Sequence, residues 1–139
     1  VLAYISNILN HEIIEHVRDL NIEKLFVFYL KQCSSKVGDY EVCGFAEIGS
    51  GDTHTIHPDT ISYKTMKQMY DELGADALVI MHNHPKIRGK SSVSPSDEDL
   101  VGTYAIAKIC LSNKMKLLDH IIIDSSNYFS FVENQLIDI

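Results

Sequence analysis

Residues 77–85 read Ala-Leu-Val-Ile-Met-His-Asn-His-Pro, an apolar run that ends in two histidines and a proline. An uninterrupted apolar run of this length is typical of a strand that is covered on both faces of a sheet. Pro85 cannot donate a hydrogen bond to a neighbouring strand, so the strand ends there. Because successive side chains of a strand alternate between its faces, His82 and His84 are expected on the same side. The stretch therefore predicts a pair of metal-binding histidines at the end of a buried strand, with two surface or structural histidines as the alternative.

The rest of the chain supplies helices and further strands around this segment. Residues 7–20 predict an amphipathic helix capped by Ser6 or Asn7, and residues 25–30 and 40–48 predict two neighbouring strands. A second helix is expected to open at Asp59 or Thr60 and to stop at Gly74. Ser96 opens a third helix, and two last strands are expected at 117–124 and 128–133. The apolar face expected for that third helix consists of Leu100, Tyr104, Ala107 and Leu111. This order predicts an α/β domain with a central mixed sheet flanked by helices.

Composition limits the class of protein. The 139 residues, of which 45% are hydrophobic, are expected to form a single domain over residues 1–139. A net charge of −7 argues against direct nucleic-acid binding, and no apolar stretch is long enough to span a membrane. Residue 1 is Val and no signal segment follows it, so we expect a fragment or processed form of a cytoplasmic protein. The oligomeric state stays open.

The three cysteines do not form a recognisable metal or disulfide pattern. Cys33, Cys43 and Cys110 are an odd set without a C-x-x-C pair, so we expect them to be reduced and to pack as small apolar residues. Any metal ion must then be held by histidines and carboxylates.

Asp99 is the natural third ligand for the histidine pair. The sequence Ser96-Asp97-Glu98-Asp99 also reads as an ordinary helix start, with Ser96 as the N-cap and three acidic residues near the positive end of the helix dipole. The helix start and the metal ligand are compatible interpretations, because a carboxylate in the first turn of a helix is held rigidly and can be directed at a metal ion beside the preceding strand. Two histidines and one carboxylate with an open fourth position are the pattern of a catalytic zinc site.

The same residues are part of a longer pattern: Glu23, then His82-Asn83-His84-Pro85, then Pro95-Ser96-Asp97-Glu98-Asp99. In this order they resemble the RadC-type branch of the JAMM (JAB/MPN) metallopeptidase-like domains. Segments 23–30, 57–61, 118–123 and 128–131 also look like RadC segments, so the resemblance covers essentially the whole chain.

The resemblance implies a three-layer JAB/MPN-like fold and a zinc ion held by His82, His84 and Asp99, with water in the fourth position. It also implies that Glu23 is the general base and that Ser96 stabilises the oxyanion. Zinc lowers the pKa of its water to about 7 and polarises a carbonyl. We therefore expect a zinc-dependent hydrolase of the JAMM class that acts on a peptide or isopeptide bond of a peptide or protein substrate.

Several alternatives remain open in the sequence. Glu41, in a segment that resembles other JAMM branches, is a second candidate for the general base, and Asp97 is a second candidate for the third ligand. The loop after His84 is about four residues longer than is usual in RadC. Its basic residues Lys86, Arg88 and Lys90 either lie in solvent or contact an acidic group of the substrate.

Other residues carry weaker hypotheses. His54 and His57 are expected to be exposed, and the pair Asp119-His120 is expected to form structural hydrogen bonds or to support the metal site. Two other functions also stay open. The domain could be a non-catalytic MPN-like interaction module, or an accessory domain linked to DNA repair through the RadC family, with any contact to DNA made elsewhere.

Overall fold

The order of elements follows from alternating apolar and polar segments. The computed structural model describes residues 2–53, 55–86 and 92–138. Its helices are α1 (Ala3–Leu9), α2 (Ile13–Arg18), α3 (Tyr63–Glu72) and α4 (Asp97–Ser112), with a short 3₁₀ helix at Pro58–Thr60. Its strands are β1 (Lys24–Gln32), β2 (Tyr40–Ser50), β3 (Ala77–Asn83), β4 (Leu117–Ile123) and β5 (Tyr128–Ser130).

The five strands form one mixed sheet with the order β2-β1-β3-β4-β5. β1 is antiparallel to both β2 and β3, and β4 is antiparallel to β5. β3 and β4 are parallel, and α4 is the crossover that connects them. The predicted α/β class with a central mixed sheet is confirmed, and β3 lies at its centre.

Each face of the sheet is covered by helices. Tyr4, Ile8 and Val17 of α1 and α2 pack with Phe26 and Phe28 of β1 on one face. On the other face, residues of α3 and α4 pack against alternate residues of the same strands, namely Met66, Tyr70, Ile106 and Cys110 on Leu25, Val27 and Ile80. This alternation explains why every residue of β3 is buried.

The predicted first helix is wrong in its extent, because the chain forms two short helices instead of one. The Ile13 backbone N–H donates to His11 Nδ1 at 3.2 Å, so the ring of His11 takes a donor that a continuous helix would use. Asn7 does not cap a helix either, since its Nδ2 donates to the Tyr40 carbonyl at 2.7 Å.

The second predicted helix begins later than expected. The Thr60 hydroxyl bonds the carbonyl oxygens of Ser50 and His57, which ties residues 58–60 to the end of β2 as a 3₁₀ turn. The α-helix starts at Tyr63 and ends before Gly74, whose φ of +62° is the left-handed conformation that glycine favours.

The buried face predicted for α4 is also wrong. Tyr104 and Leu111 are 58% and 81% exposed, whereas Thr103, Ile106 and Cys110 are buried. The thiol of Cys33 differs from expectation as well, because it is exposed, while Cys43 is half-buried and Cys110 is buried. The last predicted strand is shorter than expected and ends at Ser130.

In the part of the chain that the structure describes, no helix has both the length and the apolar character needed to cross a bilayer.

Candidate metal centre

The pairing of β1 with β3 brings Glu23 and the two histidines together. Leu25 lies opposite His82 in this antiparallel pair, so Glu23, two residues earlier, comes opposite His84, two residues later. The backbone N–H of His84 donates to the Ile123 carbonyl at 2.8 Å and so continues the line of β3 beyond Asn83. Since residues two apart in a strand share a face, all three side chains point to the side covered by α4.

Asn83 points to the opposite side and fixes the backbone on both sides of Glu23. Its Oδ1 accepts the Lys24 N–H and its Nδ2 donates to the Ile22 carbonyl, both at 2.9 Å. Asn83 is 1% exposed, and both ends of its amide are used. The residue between the two histidines therefore holds the segment that carries the glutamate.

The start of α4 places Asp99. Ser96 is the N-cap: its Oγ accepts the Asp99 N–H at 3.0 Å, and Asp99 Oδ2 accepts the Ser96 N–H at 2.9 Å. This capping box confirms the predicted helix start. It also holds the Asp99 carboxylate in one orientation, directed at the end of β3.

The three predicted ligand side chains converge on one point. His82 Nε2 and His84 Nε2 are 3.1 Å apart, and each lies 3.2 Å from an oxygen of Asp99. Two ligands that are each about 2.0–2.1 Å from a tetrahedral zinc ion lie about 3.3 Å from one another. The triangle formed by these atoms therefore has the size of one face of a zinc coordination sphere.

The proton on His84 can be assigned from its neighbours. Nδ1 of His84 lies 2.7 Å from the Ser92 carbonyl oxygen, which can only accept. The ring must therefore donate from Nδ1, which leaves the lone pair of Nε2 directed at the triangle when the ring is neutral.

The proton on His82 follows from a longer chain of hydrogen bonds. The Thr103 hydroxyl donates to the Asp99 carbonyl at 2.6 Å, so it must accept from His120 Nδ1, also at 2.6 Å. His120 Nε2 is then an acceptor, and His82 Nδ1 donates to it at 2.7 Å. His82 Nε2 thus also presents a lone pair, and the chain begins at the backbone of Asp99 itself.

Electron-rich atoms therefore meet without a donor between them. Two ring nitrogens and a carboxylate at 3.1–3.2 Å repel unless a proton or a metal ion lies among them. Burial lowers the pKa of His82 and lowers that of His120 much further, which disfavours a proton on either. Burial alone would lower the pKa of His84 too, but Asp99 and the Ser92 carbonyl raise it overall. The donor set fits a cation such as Zn²⁺.

Asp99 itself stays ionised. Burial opposes its charge, but the neighbouring rings of His82 and His84 and the bond from the Ser96 N–H hold the pKa of the carboxyl well below its usual range. It is therefore a full negative charge at neutral pH.

Glu23 lies just outside this triangle. Its Oε1 is 3.9 Å from His84 Nε2, and Glu23, His82 and His84 together offer ligand atoms within 4.8 Å of one another. The residue is 3% exposed, and its Oε2 has no hydrogen-bond partner among the described residues. Burial raises the pKa of Glu23 to about 7, with Asp99 adding to the rise and His84 opposing it. A carboxylate with this pKa accepts and returns a proton readily near neutral pH.

The alternatives left open in the sequence lie elsewhere. Glu41 is exposed and pairs with Lys31 at the far end of β1, seven positions along the strand from Lys24. Asp97 is exposed in the first turn of α4, and no contact links it to the histidines. Of the two candidates for each role, Glu23 and Asp99 are the ones that lie beside the histidine pair.

The remaining predicted residues are at the edge of the centre or outside it. His57 is exposed, as expected, and its Nε2 lies 3.3 Å from Asp52 Oδ2. Lys86 is exposed. His54, Arg88 and Lys90 lie outside the described residues.

Asp119 and His120 are adjacent but serve opposite faces of the sheet. His120 contacts His82, whereas Asp119 accepts the Tyr4 and Ser130 hydroxyls at 2.9 and 2.6 Å. Sequence reasoning considered His120 as a support for the metal site, but it missed Thr103. The only signal for Thr103 was its position four residues after Asp99 on the same helix.

Comparison with known proteins identifies the family of this chain. The profile of the RadC-like JAB domain matches residues 5–136. The UPF0758 protein of Aquifex aeolicus is 37% identical over 111 residues, which cover 80% of this chain and 42% of that protein. The UPF0758 protein FN0909 of Fusobacterium nucleatum is 32% identical over 139 residues, or 99% of this chain and 50% of that protein. The chain thus spans about half the length of these relatives, and it belongs to the family of RadC-like JAB domains.

Proposed function

We propose that this domain is a zinc-dependent hydrolase of the JAMM metallopeptidase class that cleaves a peptide or isopeptide bond. The observation that carries the proposal is the convergence of His82, His84 and Asp99 within 3.2 Å, with the buried carboxylate of Glu23 3.9 Å from His84. We further propose that the substrate is a peptide or protein, that the domain does not bind nucleic acid directly, and that the protein is cytoplasmic.

His82, His84 and Asp99 would hold the zinc ion. When bound, zinc supplies a water molecule of lowered pKa and a Lewis acid for the substrate carbonyl. A fourth protein ligand would exclude that water, so Glu23 must act from beyond the coordination sphere. Its distance from His84, longer than that of Asp99, supports this division of roles.

Glu23 moves the protons of the reaction. Its carboxylate accepts a proton from the attacking water and then donates it to the leaving amine. Oε2 is available for this exchange because no described residue binds it. Ser96 is proposed to stabilise the oxyanion through its hydroxyl proton, which is not used in the capping bond that its Oγ accepts.

The neighbouring residues keep the ligands oriented. His120 and Thr103 fix the ring of His82, and the Ser92 carbonyl fixes that of His84. We assign these residues positioning roles, since each contacts the proposed ligands His82 or His84 directly or through a neighbouring side chain.

The first test is metal content. The wild-type domain, reconstituted with zinc and desalted, should contain one zinc ion per chain by elemental analysis, and the double variant His82→Ala/His84→Ala should contain none. If both proteins retain the same amount of zinc, the ligand assignment is wrong.

The second test is turnover on a panel of peptides and isopeptide-linked conjugates. Glu23→Gln cannot take up a proton, so hydrolysis should fall by about 10²-fold or more while zinc is retained. Glu41→Gln is the matched control and should retain wild-type activity. Loss of zinc in Glu23→Gln would make Glu23 a ligand. Zinc binding with no turnover on any conjugate would instead favour the non-catalytic interaction module.

A further inference from the structure

A cleft of about 690 Å³ adjoins the metal centre. One wall is formed by the segment between β2 and α3, and the opposite wall by the first half of α4. His82 and Asp99 belong to its lining, so the cleft opens directly onto the proposed ligand atoms. Whatever occupies the cleft therefore lies next to the reacting group.

The walls of this cleft are apolar. Ile56, Pro58 and Ile61 face it from one side, and Val101, Ala105 and Ile106 from the other. Val101 is 70% exposed and Ile56 and Ile61 are half-buried, so the two walls together present a contiguous apolar surface to solvent. Pockets with apolar walls and a few convergent polar groups are typical of sites for organic ligands.

Apart from its histidines, the ionisable side chains that line the cleft, with the exception of Tyr63, are acidic. Asp97 and Glu98 line it beside Asp99, and no Lys or Arg is found among the described residues that line it. A carboxylate on the ligand would therefore be repelled, whereas a neutral or basic ligand would be tolerated.

Gly102 provides part of the space. It lies inside α4 and lines the cleft, and a Cβ at this position would have no heavy atom within 4 Å. Glycine inside a helix destabilises a protein relative to alanine, and here packing does not require it. The glycine thus leaves room in the cleft that a large side chain would fill.

We propose that this cleft binds an apolar side chain of an extended peptide substrate, at a residue next to the cleaved bond, and that it excludes acidic side chains. The proposal rests on the proposed function for the identity of the group at the metal centre. The binding of an apolar side chain in the cleft depends only on the apolar walls, the acidic rim and the space at Gly102.

Hydroxamates test the proposal on the zinc-loaded protein without requiring turnover. Acetohydroxamate probes the metal centre alone, isovalerohydroxamate adds a branched apolar group, and the monohydroxamate of succinic acid adds a carboxylate. By calorimetry, isovalerohydroxamate should bind about tenfold more tightly than acetohydroxamate because it buries more apolar surface. The succinic compound should bind more weakly than acetohydroxamate.

The variant Gly102→Leu fills the cleft and should reduce the tenfold preference to about one while leaving the affinity for acetohydroxamate unchanged. Lys108→Leu, on α4 outside the cleft, is the matched control and should keep the preference. Gly102→Ala should bind all three compounds and raise the melting temperature by about 2–5 °C, which shows that the position tolerates side chains. An equal preference in wild type and Gly102→Leu, or tighter binding of the succinic compound, would overturn the proposal.

A zinc-free measurement separates this proposal from the proposed function. In the metal-free protein, isovaleramide should shift the methyl NMR signals of Ile61 and Ile106, and this shift should be absent in Gly102→Leu. If zinc does not bind but these shifts occur, the proposed function fails and the cleft proposal stands. If zinc and acetohydroxamate bind but the shifts and the preference are absent, the cleft proposal fails alone.

Discussion

Asp99 and Asp119 are two carboxylates on opposite sides of one sheet, and their surroundings differ in kind. Asp119 is fully buried and receives four donors: the hydroxyls of Tyr4 and Ser130 and the backbone N–H groups of His120 and Val132. The Asp99 carboxylate accepts one backbone N–H, that of Ser96, within the capping box, and otherwise it faces two histidine nitrogens.

The difference separates a structural carboxylate from a candidate metal ligand. The donors around Asp119 join α1 and the segment after β5 to β4, so its bonds are satisfied within the protein. The atoms around Asp99 present lone pairs and are satisfied only when a cation is added. Burial therefore does not identify the functional acid, since the more deeply buried one is the structural one.

The largest effect should come from Asp99→Ala. Loss of a direct ligand should weaken zinc binding by more than about 100-fold, beyond the 10–100-fold typical of residues outside the coordination sphere. The free energy of unfolding of the metal-free protein at pH 8 should change by only about 1 kcal/mol, through the lost capping bond. Zinc titration against a competing chelator measures the first quantity, and urea unfolding measures the second. A protein that still binds zinc with wild-type affinity would remove Asp99 from the ligand set.

Asp119→Ala should have the opposite profile. It leaves the buried His120 N–H and the half-buried Val132 N–H without an acceptor, so the free energy of unfolding should fall by about 3 kcal/mol or more. Zinc affinity of the folded fraction should stay within a few-fold of wild type. Should the affinity fall as far as in Asp99→Ala, the separation of the two carboxylates would be wrong.

Glu23 is a third carboxylate to compare, and its surroundings predict how the free energy of unfolding depends on pH. Its pKa is raised from 4.5 to about 7 in the folded protein, so the folded state binds the proton more tightly than the unfolded state. The contribution of Glu23 to the free energy of unfolding is therefore most favourable at low pH. It falls by up to about 3 kcal/mol as the pH rises from 4.5 towards 7.

Histidines titrate in the same range, so the measurement must be a difference between two proteins. The free energy of unfolding of metal-free Glu23→Gln minus that of wild type should increase across this interval and level off above about pH 7. Glu41→Gln, at the exposed end of β2, should give a flat difference. A flat difference for Glu23→Gln would mean that its carboxyl group is not held in an unfavourable environment.

The smallest predicted effect tests the hydrogen-bond chain to His82. Thr103→Val keeps the shape but loses the hydroxyl, and zinc affinity should fall by about 10-fold. Thr103→Ser restores the hydroxyl and should restore the affinity. Nitrogen NMR of the metal-free protein at high pH should find the Nδ1–H form for His82, His84 and His120. An Nε2–H form for His82 would contradict the assigned direction of the chain.

Much of the candidate centre could be predicted because its signals are local. Two histidines two residues apart at the end of an apolar run share a face by strand geometry alone, and Ser96 with Asp99 forms a capping box recognisable from spacing. Glu23 depended on family resemblance, since its approach to His84 is set by the register of β1 on β3, which no local pattern reveals.

The orientation of α4 could not be predicted from its apolar residues. Thr103 is buried because its hydroxyl bonds His120, while Tyr104 next to it is exposed. A polar contact between distant residues thus determines which side of the helix faces the sheet, and hydrophobicity alone suggested the wrong side. The break between α1 and α2 has a similar origin, because His11 competes for a backbone donor.

The capping box at Ser96 has a consequence for how such domains diversify. Asp99 is positioned by the start of a helix that crosses between two parallel strands, not by the length of the connection that precedes it. Because the capping box fixes the carboxylate, the distance of 3.2 Å from Asp99 to each histidine depends on where this helix begins. We therefore expect insertions before Pro95 that leave the Ser92 carbonyl beside His84 to preserve the arrangement of the candidate metal centre. Evolution, or a protein engineer, can on that condition lengthen the segment while the candidate metal centre is inherited intact.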